Sequence, residues 1–523
     1  MRSALRSGLL AALLAACAHA PVRPASARVA TPSAPALPRV RVLPKLAPME
    51  TVVIQDAKLP ILTFRMVFRS GSADDPPGKE GLTELTAEMM TQGGTQRLSS
   101  AELLRTLFPM AAELSVNSTP ELTTFTGRVH RDHLDRFLEV FTDVMLEPRF
   151  PPADFERLRG DALNGLRNGL RGESDEELGK VALDSLLYPS PHPYRYPEVG
   201  TVEGLKSIRL EDVRAQWKRV FTQDRLLIGL AGPVDDALVV RVKARLAGLP
   251  ATGAPAVTLP PAADVHGRVL IVEKKEADSV SQSLGYAYEL RRGDPDYFAV
   301  KFATSYLGEH RQLNGLLFDE LRERRGLNYG DYAYPEYFEQ AGYGTFAVPN
   351  IGRTEEAFSL WIRPTEPQNA LFATRAAMYF FTRLAKQGIP KDAFEVTRSF
   401  LRGYTLLWAQ TDVRRLGYAL DDRLNGTPDF LTAYRAALTS MTPEQVQAAV
   451  QKYLRPERMN FVYVAKDGAT LARQLAQNAA APVRYATPKP APVVAEDVVI
   501  DHFKLPVDPT AIEVLDVSSF MER

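Results

Sequence analysis

The sequence predicts an α+β protein made of two tandem copies of one domain, each an antiparallel-rich sheet covered by helices. Three observations carry this. Near the end of the first half, LEDVRAQWKRVFTQDRLLIGLAG reads as an amphipathic helix running into a strand, and PEQVQAAVQKYLRPERMNFVYVA repeats the pattern in the second half. With an offset of 233, Val213, Trp217, Phe221, Arg225 and Ile228 fall on Val446, Val450, Leu454, Arg458 and Phe461. Each half also opens with two short apolar strands and then a helix, and strands and helices interleave without a strict βαβ rhythm.

Taken in order, the chain begins with Arg2 and Arg6, the short apolar run Gly8 to Ala16, and Cys17. This suits the hydrophobic region of an export signal. Leu14-Ala15-Ala16-Cys17 resembles the bacterial lipobox, so residues 1–16 are expected to be a lipoprotein signal peptide and Cys17 the lipidated first residue of the mature chain. Ala18 after the cysteine resembles the outer-membrane class, and the expected location is the periplasmic face of a bacterial envelope. The alternative is an ordinary signal cut after Ala20, which would leave Pro21 directly behind the cut. Residues 17–45 are a Pro/Ala-rich tether without hydrophobic periodicity. The first domain spans 46–247, with strands at Thr51–Gln55 and Ile61–Phe68. A Pro/Gly-rich linker, 248–264, precedes the second domain, 265–477, whose opening strands are Val269–Glu273 and Gln282–Tyr288. A Pro-rich tail, 478–523, reads either as a strand that clamps a partner or as a disordered extension.

Composition excludes several functions. Lys and Arg number 63 against 63 Asp and Glu, so the basic footprint that nucleic acid requires is missing. No apolar run reaches the ~18 residues of a spanning helix, which leaves a lipid as the only expected link to a membrane. A single cysteine rules out an internal disulfide framework and a Cys-based zinc cluster.

The helix after the first strand pair reads GKEGLTELTAEMMTQGG, with Leu82, Leu85 and Met89 on its core face and Gly93 at its C-terminal cap. Here the sequence resembles the insulinase/pitrilysin family of zinc peptidases, particularly its half-size bacterial and mitochondrial-processing-type subunits. The resemblance covers about residues 46 to 477 and implies a fold forming half of a clamshell chamber. Members carry His-x-x-Glu-His on this helix: two imidazoles hold zinc from one face and the glutamate is general base for the bound water. The matching positions here are Glu84, Ala87 and Glu88, and the usual downstream glutamate ligand falls at Asn164 or Gly165. The expectation is therefore no catalytic residue and no metal in this chain, with Glu84 and Glu88 as two solvated carboxylates that could at most hold a hard cation weakly. His130 and His133, around Asp132, read as a polar helix start, and His192 as part of a Pro-rich structural loop.

The second half contains RQLNGLLFDELRERRGLNYGDYAYPEYF, with Leu313, Leu316, Leu317 and Leu321 at helical spacing, Gly326 as the stop and a tyrosine-rich strand behind it. In the same family a leucine-arginine, glycine-leucine and tyrosine at this spacing form a pair that grips the substrate backbone. The resemblance thus assigns substrate binding to Arg322 and Tyr329, whose guanidinium and phenol offer directed donors to a peptide carbonyl. The plainer reading makes Arg322, Arg324 and Arg325 cations at a helix C-terminus. The family's substrate-adding edge strand would lie at SVNSTPELTTF, with Asn117 as the matching asparagine and Pro120 interrupting the ladder. The function implied is a non-catalytic subunit of a heterodimeric zinc peptidase, the zinc-bearing partner doing the chemistry on unfolded peptides. The alternatives are an envelope scaffold without a proteolytic role and a self-sufficient metallopeptidase with unusual ligands.

Overall fold

The computed structural model describes residues 46–309, 314–339 and 346–521; the leader, Cys17, the tether and Leu313 lie outside them. Strands β1 (Glu50–Gln55), β2 (Ile61–Phe68), β3 (Glu113–Ser118), β4 (Thr123–His130) and β5 (Leu226–Gly232) form the first sheet, in the order β1-β5-β2-β4-β3. The second holds β6 (Val269–Glu273), β7 (Val280–Tyr288), β8 (Asp331–Tyr334), β9 (Glu356–Thr365), β10 (Asn460–Ala465) and β11 (Ile512–Asp516), in the order β11-β6-β10-β7-β9-β8. The repeat seen in the sequence is a repeat of register. Ile228 of β5 lies parallel beside Thr51 and antiparallel beside Met66, and its counterpart Phe461 of β10 lies parallel beside Val269 and antiparallel beside Leu284.

Seven of the helices frame these sheets and the candidate site: α1 (Leu82–Gln92), α2 (Pro152–Asn164), α3 (Asp175–Leu187), α4 (Leu210–Val220), α5 (Asp412–Asn425), α6 (Pro443–Tyr453) and α7 (Ala491–Asp501). The front of the first sheet buries Phe64, Met66 and Phe68 under Leu85 and Met89 of α1 and Val213 and Val220 of α4. The front of the second buries Leu284, Tyr286 and Phe358 with Val446 and Val450 of α6. The backs are closed by exchange. Leu178, Ala182 and Leu183 of α3, from the first half, cover Leu270, Val462 and Val464 of the second sheet. Leu416, Leu420 and Leu424 of α5, from the second half, cover Val67, Leu227 and Ala231 of the first. Strands buried on both faces lose polar alternation, and β5 is buried at every position.

Close approach is required at Gly229 of β5, where a Cβ would stand 2.8 Å from Leu420 Cδ1. The contact is keyed by a buried polar chain: Arg65 of β2 donates to Asn350 Oδ1 at 2.5 Å, Asn350 Nδ2 donates to Asp421 Oδ1 of α5 at 3.0 Å, and Arg292 pairs with Asp421 at 3.4 Å.

The tail is not a disordered extension: β11 lies parallel to β6, Val514 beside Ile271, and extends the chain's own second sheet. Helix α7 is held by Arg325, whose fully buried guanidinium meets Glu320, Glu496 and Asp497 at 2.9, 2.8 and 2.9 Å. The linker is irregular but pinned, Ala262 N donating to Glu355 Oε2 and Ala263 N to Leu187 O, both at 2.8 Å.

Candidate functional site

Helix α1 opens on Gly81 at φ 102°, and Asp75 takes up its first free donors: Gly81 N and Thr83 N at 2.8 Å and Thr83 Oγ1 at 2.6 Å. It lies between β3, α2 and α4 and is buried on most of its circumference. Ala87, at the position the family resemblance matches to the general base, is 0 % exposed, a methyl group in the packed first core. Glu84 corrects the expectation of two solvated carboxylates. It is only partly accessible, and its Oε2 is buried without a hydrogen-bond partner. Burial first, then the neighbouring charges of Glu88, Glu198 and Asp75, push its carboxyl up to about 8, against a hydrogen bond from Ser118. Glu88 is also pushed up by burial, while Gln92 donates to it. A neutral acid, a core alanine and a half-buried glutamate do not make a zinc donor set. Asn164 ends α2 and accepts from Asn168. Among the described residues no group of three or more His, Cys, Asp or Glu is placed to hold a metal.

Asn117 lies on β3, the outer strand of the first sheet, paired to Thr124 of β4. Pro120 does not break that strand: β3 ends at Ser118, and the proline sits in the turn closed by Thr119 N to Leu122 O at 2.7 Å. Carboxyl-bearing α1 therefore runs beside an intact edge strand. His130 and His133 lie at the start of the helix that follows β4, where His130 Nδ1 accepts from Asp132 N. His192 is fully buried between Tyr188 and Tyr194, its Nδ1 accepting from Tyr194 N.

In the second half, the helical segment Phe318–Glu323 is stopped by Gly326 at φ 67°. The three arginines there do three different things. Arg325 anchors the tail, Arg324 reaches in to the buried Glu320 at 3.3 Å, and Arg322 lays its guanidinium over Phe318 at 4.5 Å and over Tyr329 at 4.6 Å. Arg363 of β9 stands 5.4 Å from the Tyr329 ring and pairs with Glu176 of α3 at 2.7 Å. Arg322 and Tyr329 are thus brought together, with the Tyr329 side chain 63 % exposed. Asp331 behind them was invisible in the sequence. It is fully buried, accepts from Asn328 Nδ2 at 2.7 Å, and burial pushes its carboxyl up to about 8.

A cavity of about 210 Å³ opens between α3 and β9, lined by Glu198, Tyr337, Glu339, Arg353 and Trp361 among others. None of these was singled out from the sequence, because they come from three segments brought together only by the exchange of α3.

Comparison with known proteins agrees with this frame. A sequence profile described as insulinase (peptidase family M16) matches residues 51–169, and one described as peptidase M16 inactive domain matches residues 207–401. An uncharacterized zinc protease of Bacillus subtilis is 22% identical over 273 residues, 52% of this chain and 64% of that protein. One of Streptomyces coelicolor is 23% identical over 75% of this chain and 82% of its own. A Helicobacter pylori protein named a non-peptidase homolog is 26% identical over 33% of this chain and 39% of its own. The chain therefore spans a little under two thirds of the Bacillus protein and well under half of the Helicobacter one. Among solved structures, the peptidase M16 inactive domain from Pseudomonas fluorescens superposes with a TM-score of 0.70 at 22% identity, covering 81% of this chain and 98% of that one. Complex III2 from Candida albicans gives 0.62 at 11% identity, covering 82% and 96%.

Proposed function

Because the chain belongs to the insulinase family of peptidases, M16, with no residues fit to hold zinc or activate water on α1, we propose that it is the non-catalytic subunit of a two-chain peptidase. The carrying observation is the Arg322–Tyr329 stack, open to solvent at Tyr329 in a chain whose α1 carries Ala87 in the core. In this reading a zinc-bearing partner of the same family supplies the imidazoles, the metal and the attacking water. This chain contributes half of the chamber, and Arg322 and Tyr329 donate to a backbone carbonyl of an unfolded peptide. Edge strand β3, with Asn117, offers unpaired backbone groups for the same peptide. Cys17 would tether the complex to the envelope through a lipid. Support comes from relatives whose names describe a non-peptidase homolog and a subunit, the beta subunit of mitochondrial-processing peptidase from Caenorhabditis elegans.

The test is capture of the full-length protein from detergent-solubilised envelopes, followed by assay on an unfolded peptide with and without chelator. A stoichiometric companion bearing His-x-x-Glu-His, with chelator-sensitive cleavage, is expected. Arg322→Ala or Tyr329→Phe then lowers the rate of the intact complex by about 100–1000-fold, the scale of losing one aimed donor. Unchanged kinetics for both variants would remove the substrate role. A companion without that motif, and no cleavage, would favour the scaffold reading. The purified chain should retain less than about a tenth of an equivalent of zinc, since carboxylates without imidazole suit zinc poorly.

A further inference from the structure

The tail completes a pocket on the second half. Buried Arg375 donates through Nη1 to Asp501 O at 2.6 Å, and Asp508 N donates to Gly267 O at 2.8 Å, so the stretch between is held at both ends. There Phe503 packs edge-on against Tyr379 of the helix Ala370–Gln387, ring centres 5.9 Å apart. With Lys504 and Pro506 it walls a cavity of about 390 Å³, within the range of small-molecule sites. Met378, Thr382, Ala385 and Lys386 line it from one face of that helix, at i, i+4, i+7 and i+8. Gln451 of α6 and the turn from Leu454 to Glu457 close it, and its floor reaches the core at Met378 and Leu454, both fully buried.

Four of the lining residues are charged. Arg455 and Glu457 pair with each other at 2.5 Å. Lys386 and Lys504 are exposed and have no ion-pair partner among the described residues, so two cations are left over on the rim of an apolar hole. A second, independent observation is α7, the helix that leads into Phe503, which is turned inside out. Its acids face inward, Glu496 and Asp497 to Arg325 and Asp501 to Arg375, while Val494, Val498 and Val499 are 47, 60 and 55 % exposed. Val499 lies one turn before Phe503, so apolar surface continues from the pocket onto the outside of the helix. An apolar patch with a polar rim marks a ligand groove or an interface.

We propose that this pocket binds a small anionic amphiphile, an alkyl chain ending in a carboxylate. The chain lies on Met378, Leu454 and Phe503, and Lys386 and Lys504 receive the carboxylate. The charge selects the occupant: two uncompensated cations beside apolar surface attract an anionic head and repel a cationic one of the same chain length. The site is independent of the two-chain reading above, because neither Arg322, Tyr329 nor a zinc-bearing partner takes part in it.

The experiment is fluorescence titration of the full-length chain with 11-(dansylamino)undecanoate, followed by competition with monomeric dodecanoate and dodecyltrimethylammonium. Dodecanoate is expected to displace the probe about tenfold more effectively, the scale of one ion pair. Thr382→Trp fills the pocket from its wall and should weaken the probe by at least about tenfold. Lys386→Glu with Lys504→Glu should reverse the preference toward dodecyltrimethylammonium, a gain that misfolding cannot imitate. Equal displacement by the two heads would overturn the proposal, as would probe binding that Thr382→Trp leaves unchanged. Binding to phosphatidylglycerol vesicles without binding of monomeric dodecanoate would also overturn it, and would make the valine face of α7 a membrane contact instead.

Discussion

Glu84 and Ala87 occupy neighbouring turns of one helix, and they show how far single positions can be read. That Ala87 cannot serve as a base is evident from its side chain alone. That Glu84 is starved of water is not, because the burial comes from β3 and from α4, far along the chain. The consequence is measurable. In the folded protein Glu84 keeps its proton up to about pH 8, whereas the unfolded chain releases it near 4.5. The native state then binds more protons than the unfolded state between those values, so stability is full below about 4.5 and is lost as pH rises toward 8. Glu84→Gln keeps the shape of the neutral acid and cannot ionise. It should raise stability at pH 8 by on the order of 1 kcal/mol while leaving pH 5 nearly unchanged. Urea midpoints at the two pH values decide; a variant that tracks the wild type at both would refute the buried-acid description.

Helices and strands were legible where periodicity is local. The sequence placed β2 at Ile61–Phe68 and the start of β6 at Val269 as observed, and the offset of 233 located β5 and β10 with their neighbours. The partners of α3 and α5 were not legible. An apolar stripe such as Leu178, Ala182 and Leu186 says that a helix is buried without saying on whose sheet. Gly229 marks one such contact, and Gly229→Val should cost about 1–3 kcal/mol by overpacking Leu420, read as a lowered denaturation midpoint. The tail was illegible for the same reason: its anchor, Arg325, looked like one more cation at a helix end. Arg325→Ala would leave Asp497 buried without its counter-charge, and Glu320 and Glu496 held only by Arg324 and Arg383, a loss of about 3–5 kcal/mol. It should also expose residues between Gln477 and Ile512 to limited proteolysis; a tail still resistant in a folded variant would mean that β11 alone suffices.

At the scale of the molecule the two halves are repeats that cannot be separated. Each sheet has one face covered by its own half and one by the other, with Arg65, Asn350, Asp421 and Arg292 linking β2 to α5. Fragments 46–264 and 265–521 expressed alone should each present a bare apolar sheet and aggregate, while coexpression should yield a soluble pair. The intact chain should melt in one transition rather than two. Two separable calorimetric peaks would show that the exchange contributes little.

The exchange also sets a schedule. The last strand of the first sheet ends at Gly232, and α5, which closes its back, begins at Asp412. A ribosome adding about 5–20 residues per second needs roughly 10–40 s to cover that interval. For that time the nascent first half has a complete sheet with one greasy side open to whatever is near. A chaperone that holds such surfaces should be found on ribosomes carrying chains halted anywhere between those two points, and should leave once α5 has emerged.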